Sequence, residues 1–266
     1  MGELSLRASV ACLIKVLFKN QVDGRRILAL ERVATLRQVQ GKAEVTVTSK
    51  PFGGAVRLIN PQALRRLIGN FQYDSERSRR EKDFRILIEP EAWEKLMDIC
   101  CEHLTNPGKG ILDTNPEREL IEEFKDTLHV RIRRDQYQII PRGISIEAMP
   151  VETDNVRAAG IPTVRIYYLY ESWLTDPVLI TRMLTNIDRC TDEDLQNQAL
   201  HDAQHGGRGR ANATLTLRYD DLIEFYRSLQ LDMRKERICF DGHQIEENVL
   251  AILDEVDQTR YKHYNE

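Results

Sequence analysis

No apolar run in this sequence is long enough to cross a bilayer. The longest, Val10 to Phe18, is broken by Lys15 and falls well short of the roughly 20 residues that a spanning helix needs. The N-terminus also lacks a basic stretch followed by a cleavable apolar segment, so a cytoplasmic protein with no membrane partner is expected. Charge of one sign is missing too. With 38 basic and 42 acidic residues interspersed, the net charge of −4 exerts no general pull on nucleic acid, and no nucleic-acid partner is expected. Cysteine is sparse: Cys12, Cys100, Cys101, Cys190 and Cys239 show neither zinc-finger nor redox spacing. A disulfide between the neighbours Cys100 and Cys101 would be strained, so reduced core thiols are expected. Internal repeats and low-complexity tracts are lacking as well.

What the chain does have is length and apolar content, 266 residues and 41% hydrophobic, enough to bury a substantial core. Ser9 to Phe18 and Ile27 to Val33 are apolar and rich in β-branched residues, with the turn-former Asp23-Gly24 between them, which predicts a hairpin. Glu44 to Ser49 alternates apolar and polar positions as a third strand and runs into Pro51-Phe52-Gly53-Gly54. Downstream, His129 to Arg133, Tyr137 to Ile140 and Gly143 to Ala148 read as strands, and Thr163 to Tyr170 is a strong one. The last ninety residues read as helices over 176–186, 192–204, 220–229 and 245–260, with one strand at 214–217.

The chemistry is concentrated in Arg118-Glu119-Leu120-Ile121-Glu122-Glu123. Asn115 and Pro116 just before it predict an N-cap followed by proline at the first helical position, and the acidic first turn suits the positive end of the helix dipole. Helical spacing puts Glu119 beside Glu122 and Glu123, while Leu120 and Phe124 share a neighbouring face that can anchor to a core. Carboxylates so gathered repel unless a cation sits among them, and oxygen donors suit Mg²⁺ or Mn²⁺. The alternative reading is an acidic helix face in solvent.

The pattern Arg-Glu-Leu-x-Glu-Glu, with Gly53-Gly54 upstream at the end of a strand, resembles the motif of the Nudix hydrolases. The resemblance implies an α/β fold, a Nudix-like α/β/α sandwich with a mixed sheet, formed by residues 1–266 as a single domain. Gly54 precedes Arg118 by 64 positions (118 − 54), so an insertion of about fifty residues after the Gly-Gly strand, placed at 60–110, is implied. Residues 175–266 would form a mostly helical C-terminal extension. The implied activity is metal-dependent hydrolysis of the diphosphate in a nucleoside diphosphate linked to another group, with Mg²⁺ or Mn²⁺ as cofactor and a nucleotide-type small molecule as substrate. By the same resemblance Glu119, Glu122 and Arg118 are catalytic, Glu119, Glu122 and Glu123 hold the metal, and Gly53 and Gly54 present backbone to phosphate. Gly110 stands where the motif has another glutamate, and Lys125 and Asp126 replace small and aliphatic residues. Those departures bear on turnover more than on fold, and the alternative they open is a weak or inactive nucleotide-sensing or protein-interaction module. A homodimer is compatible with either reading.

Elsewhere, Glu171 or Glu147 could supply a further carboxylate. His205-Gly206-Gly207-Arg208-Gly209-Arg210 combines glycines that free the backbone to wrap an anion with two arginines that donate to phosphate. Arg208 and Arg210 are therefore candidate phosphate-binding residues, provided that the loop folds over the Glu119 helix. His201 and His205, four apart, could chelate a metal or simply cap a helix.

Overall fold

The computed structural model describes residues 4–39, 42–106, 110–152, 160–187, 190–229, 237–256 and 260–264. The hairpin forms from β1 (Leu6–Lys19) and β2 (Arg26–Val39), with Gly24 in the left-handed region at the turn. β3 (Lys42–Lys50) returns along β2, and β4 (Phe52–Ala55) follows directly after Pro51. After β5 (Arg57–Leu58), the segment expected as an insertion contains α1 (Pro61–Ile68), β6 (Phe71–Tyr73), α2 (Glu76–Glu81), β7 (Arg85–Ile88) and α3 (Trp93–Thr105). After β8 (Leu112–Asp113) comes α4 (Pro116–Leu128), the helix that carries the acidic motif. β9 (Tyr137–Glu147) and β10 (Thr163–Leu174) follow, then α5 (Pro177–Ile187), α6 (Asp192–Gln204), β11 (Arg210–Arg218) and α7 (Tyr219–Ser228). The chain closes with β12 (Arg237–Phe240), β13 (His243–Glu246), α8 (Asn248–Ala251) and β14 (Tyr261–Tyr264).

Helices pack on a mixed sheet of 12 strands, an α/β architecture. β1 is its spine. One edge pairs in parallel with β10 over nearly its whole length, from Arg7↔Thr163 to Leu17↔Trp173. The other edge is shared by three antiparallel partners in turn: β7 against residues 6–9, β4 against 11–14 and β2 against 16–19. β2 thus peels away from β1 after Ala29, and β4 takes its place. Beyond that point β2 lies between β3 and β11, so the sheet divides into two arms. Alternation along β1 then sorts the core. Its even residues Ala8 to Phe18 pack under α1, α3, α4 and α5, while Leu13 and Leu17 face α7 and α8.

α4 lies on the even face, in contact with β4, β1 and β11. Its start follows the residues at hand: the Asn115 side chain accepts hydrogen bonds from the amides of Glu117 and Arg118 at 3.0 and 3.2 Å, and Pro116 needs no amide partner. Leu120 and Phe124 are fully buried, with the Phe124 ring 5.1 Å from that of Phe52. These two contacts fix the rotation of the helix and so the direction of its acidic side chains. Asn115→Ala is expected to cost about 1 kcal/mol, measurable as a fall in the urea midpoint at unchanged m-value.

Four expectations need correction. Residues 129–133 form no strand; His129 caps α4 in the left-handed region, and a 3₁₀ turn follows at Arg134–Gln136. The two strands expected over 137–148 are one, β9, with a register shift that leaves Arg142 unpaired between Pro141 and Gly143. The C-terminal part is less helical than its composition suggests, because β11 enters the sheet beside β2 and β14 pairs with β9. Of the helix expected over 245–260, the described residues form only the four-residue α8. Val249 to Leu253 are all buried, which a compact turn allows and an amphipathic surface helix would not.

Candidate functional site

The motif's two halves, distant in sequence, meet. At Gly53 the φ angle is +135°, and a Cβ there would lie 2.1 Å from the Cys12 carbonyl oxygen across the β1–β4 ladder, so glycine is dictated by strand approach. At Gly54 a Cβ would lie 2.0 Å from Oε2 of Glu119. The Glu119 carboxylate therefore occupies the space that any other residue at 54 would fill. Arg118 holds it from the other side, with Nη1 at 2.6 Å from Glu119 Oε1 and 3.5 Å from Glu122 Oε2. Glu122 is exposed and also lies 3.9 Å from Arg57. Burial pushes the Glu119 carboxyl above the usual range; Arg118 opposes this and Glu122 adds to it. Arg118 Nε is buried and ion-paired with Asp113 at 3.6 Å.

Glu123 points elsewhere. It hydrogen-bonds Glu31, a wholly buried carboxylate on β2 at the place where the sheet divides. Glu31 is flanked by Lys50 Nζ at 2.6 Å and an Arg210 amine at 2.8 Å. Burial drives the Glu31 carboxyl up, but the two cations outweigh it and hold the group below its ordinary range. Glu123 is therefore the partner that keeps a proton, pushed up to about 8 by burial and then by the Glu31 charge. The three motif glutamates are thus divided: Glu119 and Glu122 share Arg118, and Glu123 joins Glu31, Lys50 and Arg210.

The donor chemistry suits a hard divalent cation, since every candidate is a carboxylate oxygen. Among the described residues no three side chains of metal-ligating type are gathered to hold one. Mg²⁺ commonly takes one or two carboxylates and completes its shell with water and substrate phosphate. A buried carboxylate pressed on glycine backbone, with a second one on the same arginine, provides such a partial set.

The loop before β11 differs from its expected role. Its backbone does wrap an anion, but that anion is Asp202, whose Oδ2 accepts from the amides of Gly209 and Arg210 at 2.9 and 3.3 Å. The side chains lie near the far end of α4, lining a cavity with Lys125 and His129, and not over Glu119. Arg210 still reaches the motif indirectly, through Glu31. His201 and His205 stack with ring centroids 4.1 Å apart, and His205 Nδ1 bonds the His201 carbonyl, which is a helix end and no chelate.

Glu171 and Glu147, the two further candidates, are committed on the opposite sheet face. Glu171 pairs with Lys15 and Arg142, and Glu147 with Arg165 and Arg260. Lys15 sits between Ile14 and Val16, whose side chains pack under α4, so strand alternation turns Lys15 and its partner away from that helix. Sequence reading missed Glu31 and Lys50. Their one local signal was a charged pair, Glu31-Arg32, inside an otherwise apolar strand. The cysteines are free, and burial pushes the Cys100 thiol up to about 12, which leaves it unreactive.

No helix among the described residues is long and apolar enough to cross a membrane. No family model, curated protein or solved structure matches the chain.

Proposed function

We propose that this chain is a Nudix-type pyrophosphohydrolase that cleaves the diphosphate of a nucleoside diphosphate linked to another group, with Mg²⁺ or Mn²⁺ as cofactor. One observation carries the reading: Gly54 and Glu119 are in contact although 65 positions separate them (119 − 54), as a divided motif requires. The Nudix-like arrangement of α4 against the Gly-Gly strand is part of the same proposal.

Glu119 and Glu122 would hold the cation, while Glu123, the third carboxylate that the resemblance assigns to the metal, is held at Glu31. When bound, the metal would stabilise charge on the phosphoryl oxygens and acidify a water molecule. Arg118 keeps Glu119 and Glu122 oriented through its ion pairs with both. A buried carboxyl raised above its usual range is a stronger base than a solvated one, so Glu119 is suited to accept the proton of the attacking water. As the water oxygen bonds to phosphorus, the bridging P–O bond breaks and its electron pair leaves with the departing phosphate.

A second reading, a nucleotide sensor with little or no turnover, is favoured by the Glu123–Glu31 pair, which engages one of the motif carboxylates. Calorimetric titration with a panel of nucleoside diphosphate compounds, alongside phosphate-product detection with Mg²⁺ or with chelator, decides between them. Mg²⁺-dependent release of two phosphate-bearing products is the expected result. Binding without release would establish the sensor, and neither would remove the family reading.

A further inference from the structure

The segment that divides the motif brings a feature of its own. α2 and β7 carry Arg77, Arg80 and Arg85 to the wall of a cavity of about 660 Å³, where they face Lys50 of β3 and Arg208 and Arg210 before and on β11. Three stretches of chain, far apart in sequence, thus bring six cations to one concavity. Three carboxylates pair with some of them: Glu31 with Lys50 and Arg210, Glu81 with Arg77 at 2.8 Å, and Asp83 with Arg85 at 3.2 Å. Arg80 is only loosely associated with Glu81, at 3.8 Å, and Arg208 makes no ion pair among the described residues. Glu246 is the one carboxylate on the cavity wall itself among those residues, and the Thr48 hydroxyl donates to it. Six positive charges therefore face four negative ones, which leaves an excess of two positive charges.

Like charges held this close favour an anion among them. Guanidinium forks match phosphoryl oxygens two at a time, and the Thr35 and Thr46 hydroxyls on the same wall add neutral donors. The cavity's size is that of a small-ligand site. Arg208 and Arg210 also line the neighbouring cavity beside Lys125 and His129, but useful affinity for a nucleic-acid backbone needs many phosphates neutralised along a track, and the other four cations face this hollow. The hollow also adjoins the site on α4, because Lys50 and Arg210 both contact Glu31, the partner of Glu123.

We propose that this cavity binds the outer phosphates of a small molecule carrying three or more phosphoryl groups in a row, and that Arg77, Arg80 and Arg85 set that preference. The proposal deepens the hydrolase reading and rests on it for the position of the scissile bond, but the cavity's affinity for polyphosphate is separately measurable.

The test is calorimetric titration of the full chain, in chelator and at fixed ionic strength, with inorganic tripolyphosphate, pyrophosphate and orthophosphate. Tripolyphosphate is expected to bind at least about tenfold more tightly than pyrophosphate, and the double variant Arg77→Ala/Arg80→Ala to lose about ten- to a hundredfold of that affinity. Arg66→Ala, which removes an exposed charge outside the cavity, should bind as the wild type does. Circular dichroism and urea midpoints close to wild type would show that the variants fold. Equal affinity for pyrophosphate and tripolyphosphate, or equal loss in the Arg66 variant, would overturn the proposal. So would displacement of tripolyphosphate by a single-stranded RNA at matched phosphate concentration, which would make the cavity part of a nucleic-acid track. Tripolyphosphate binding that depends on Arg77 and Arg80 in a chain that hydrolyses nothing would uphold the cavity and defeat the hydrolase reading. Diphosphate hydrolysis without a tripolyphosphate preference would do the reverse.

Discussion

Gly54→Ala is expected to lose as much activity as Glu119→Gln, about 10²- to 10⁴-fold, while the protein stays folded, whereas Gly53→Ala is expected to compromise folding itself. The two glycines are adjacent, yet what a methyl group would meet differs. At 54 it meets Oε2 of Glu119 at 2.0 Å, the far end of a flexible side chain that can swing away at little cost to stability. The carboxylate then leaves both the glycine backbone and its place on Arg118, and the proton acceptor is lost. At 53 the methyl meets the Cys12 carbonyl oxygen at 2.1 Å and the Leu13 Cα at 3.2 Å, both backbone, at a φ of +135° that an L-residue rarely adopts. Relief there means breaking the ladder between β4 and the sheet's central strand. Overpacking and strain together amount to about 2–6 kcal/mol, a large part of the roughly 5–15 kcal/mol that keeps a domain folded. Guanidinium unfolding curves read the second effect, and product release under saturating Mg²⁺ reads the first. Full turnover in Gly54→Ala beside a dead Glu119→Gln would show that the Gly54 contact has no part in positioning the base.

The contrast also marks what was legible in the sequence. Local rules located α4, because capping by Asn115, proline at the first turn and the Leu120–Phe124 spacing are all written within a dozen consecutive residues. The same holds for the hairpin at Asp23-Gly24 and the strong strand now seen as β10. The proximity of Gly54 to Glu119 was legible only through the motif, since no local property of either segment specifies it. Glu31 and Lys50 were hidden for another reason: they meet through the register of β2 on β3, which is decided by the pairing of whole strands. The placing of Glu171 turns on strand parity. The residue belongs to the right strand but to the face that Lys15 occupies. The Gly-Arg loop's backbone is occupied by an anion from within the chain, Asp202 of the preceding helix, which no local property of the loop specifies.

Glu123 should make the protein less stable as the pH rises through neutrality, and Glu123→Gln should abolish that dependence. In the folded state the group holds its proton up to about pH 8, against an ordinary value of 4.5. Between those limits the folded protein keeps a proton that the unfolded chain releases, so stability falls as pH rises from about 4.5 and levels off above about 8. Glu31 has the opposite sign: its carboxyl is held below the ordinary range, so its contribution is complete above that range and is lost only as the pH falls into the acid region. The two effects therefore occupy different windows, and across neutrality only the Glu123 effect acts. Each pKa unit corresponds to about 1.4 kcal/mol, and because Glu123 is partly exposed and its environment can relax, roughly 2–3 kcal/mol is expected between pH 5 and pH 9. Urea midpoints measured in chelator should fall more over that range in the wild type than in Glu123→Gln, so that the gap between the two curves widens with pH and the variant is the more stable of the two at pH 9. A glutamine at 123 keeps a neutral hydrogen-bonding partner for Glu31 without ever placing a second negative charge against it. Parallel curves for the two proteins would mean that Glu123 titrates as a solvated carboxyl and that the Glu31 pair does not govern it.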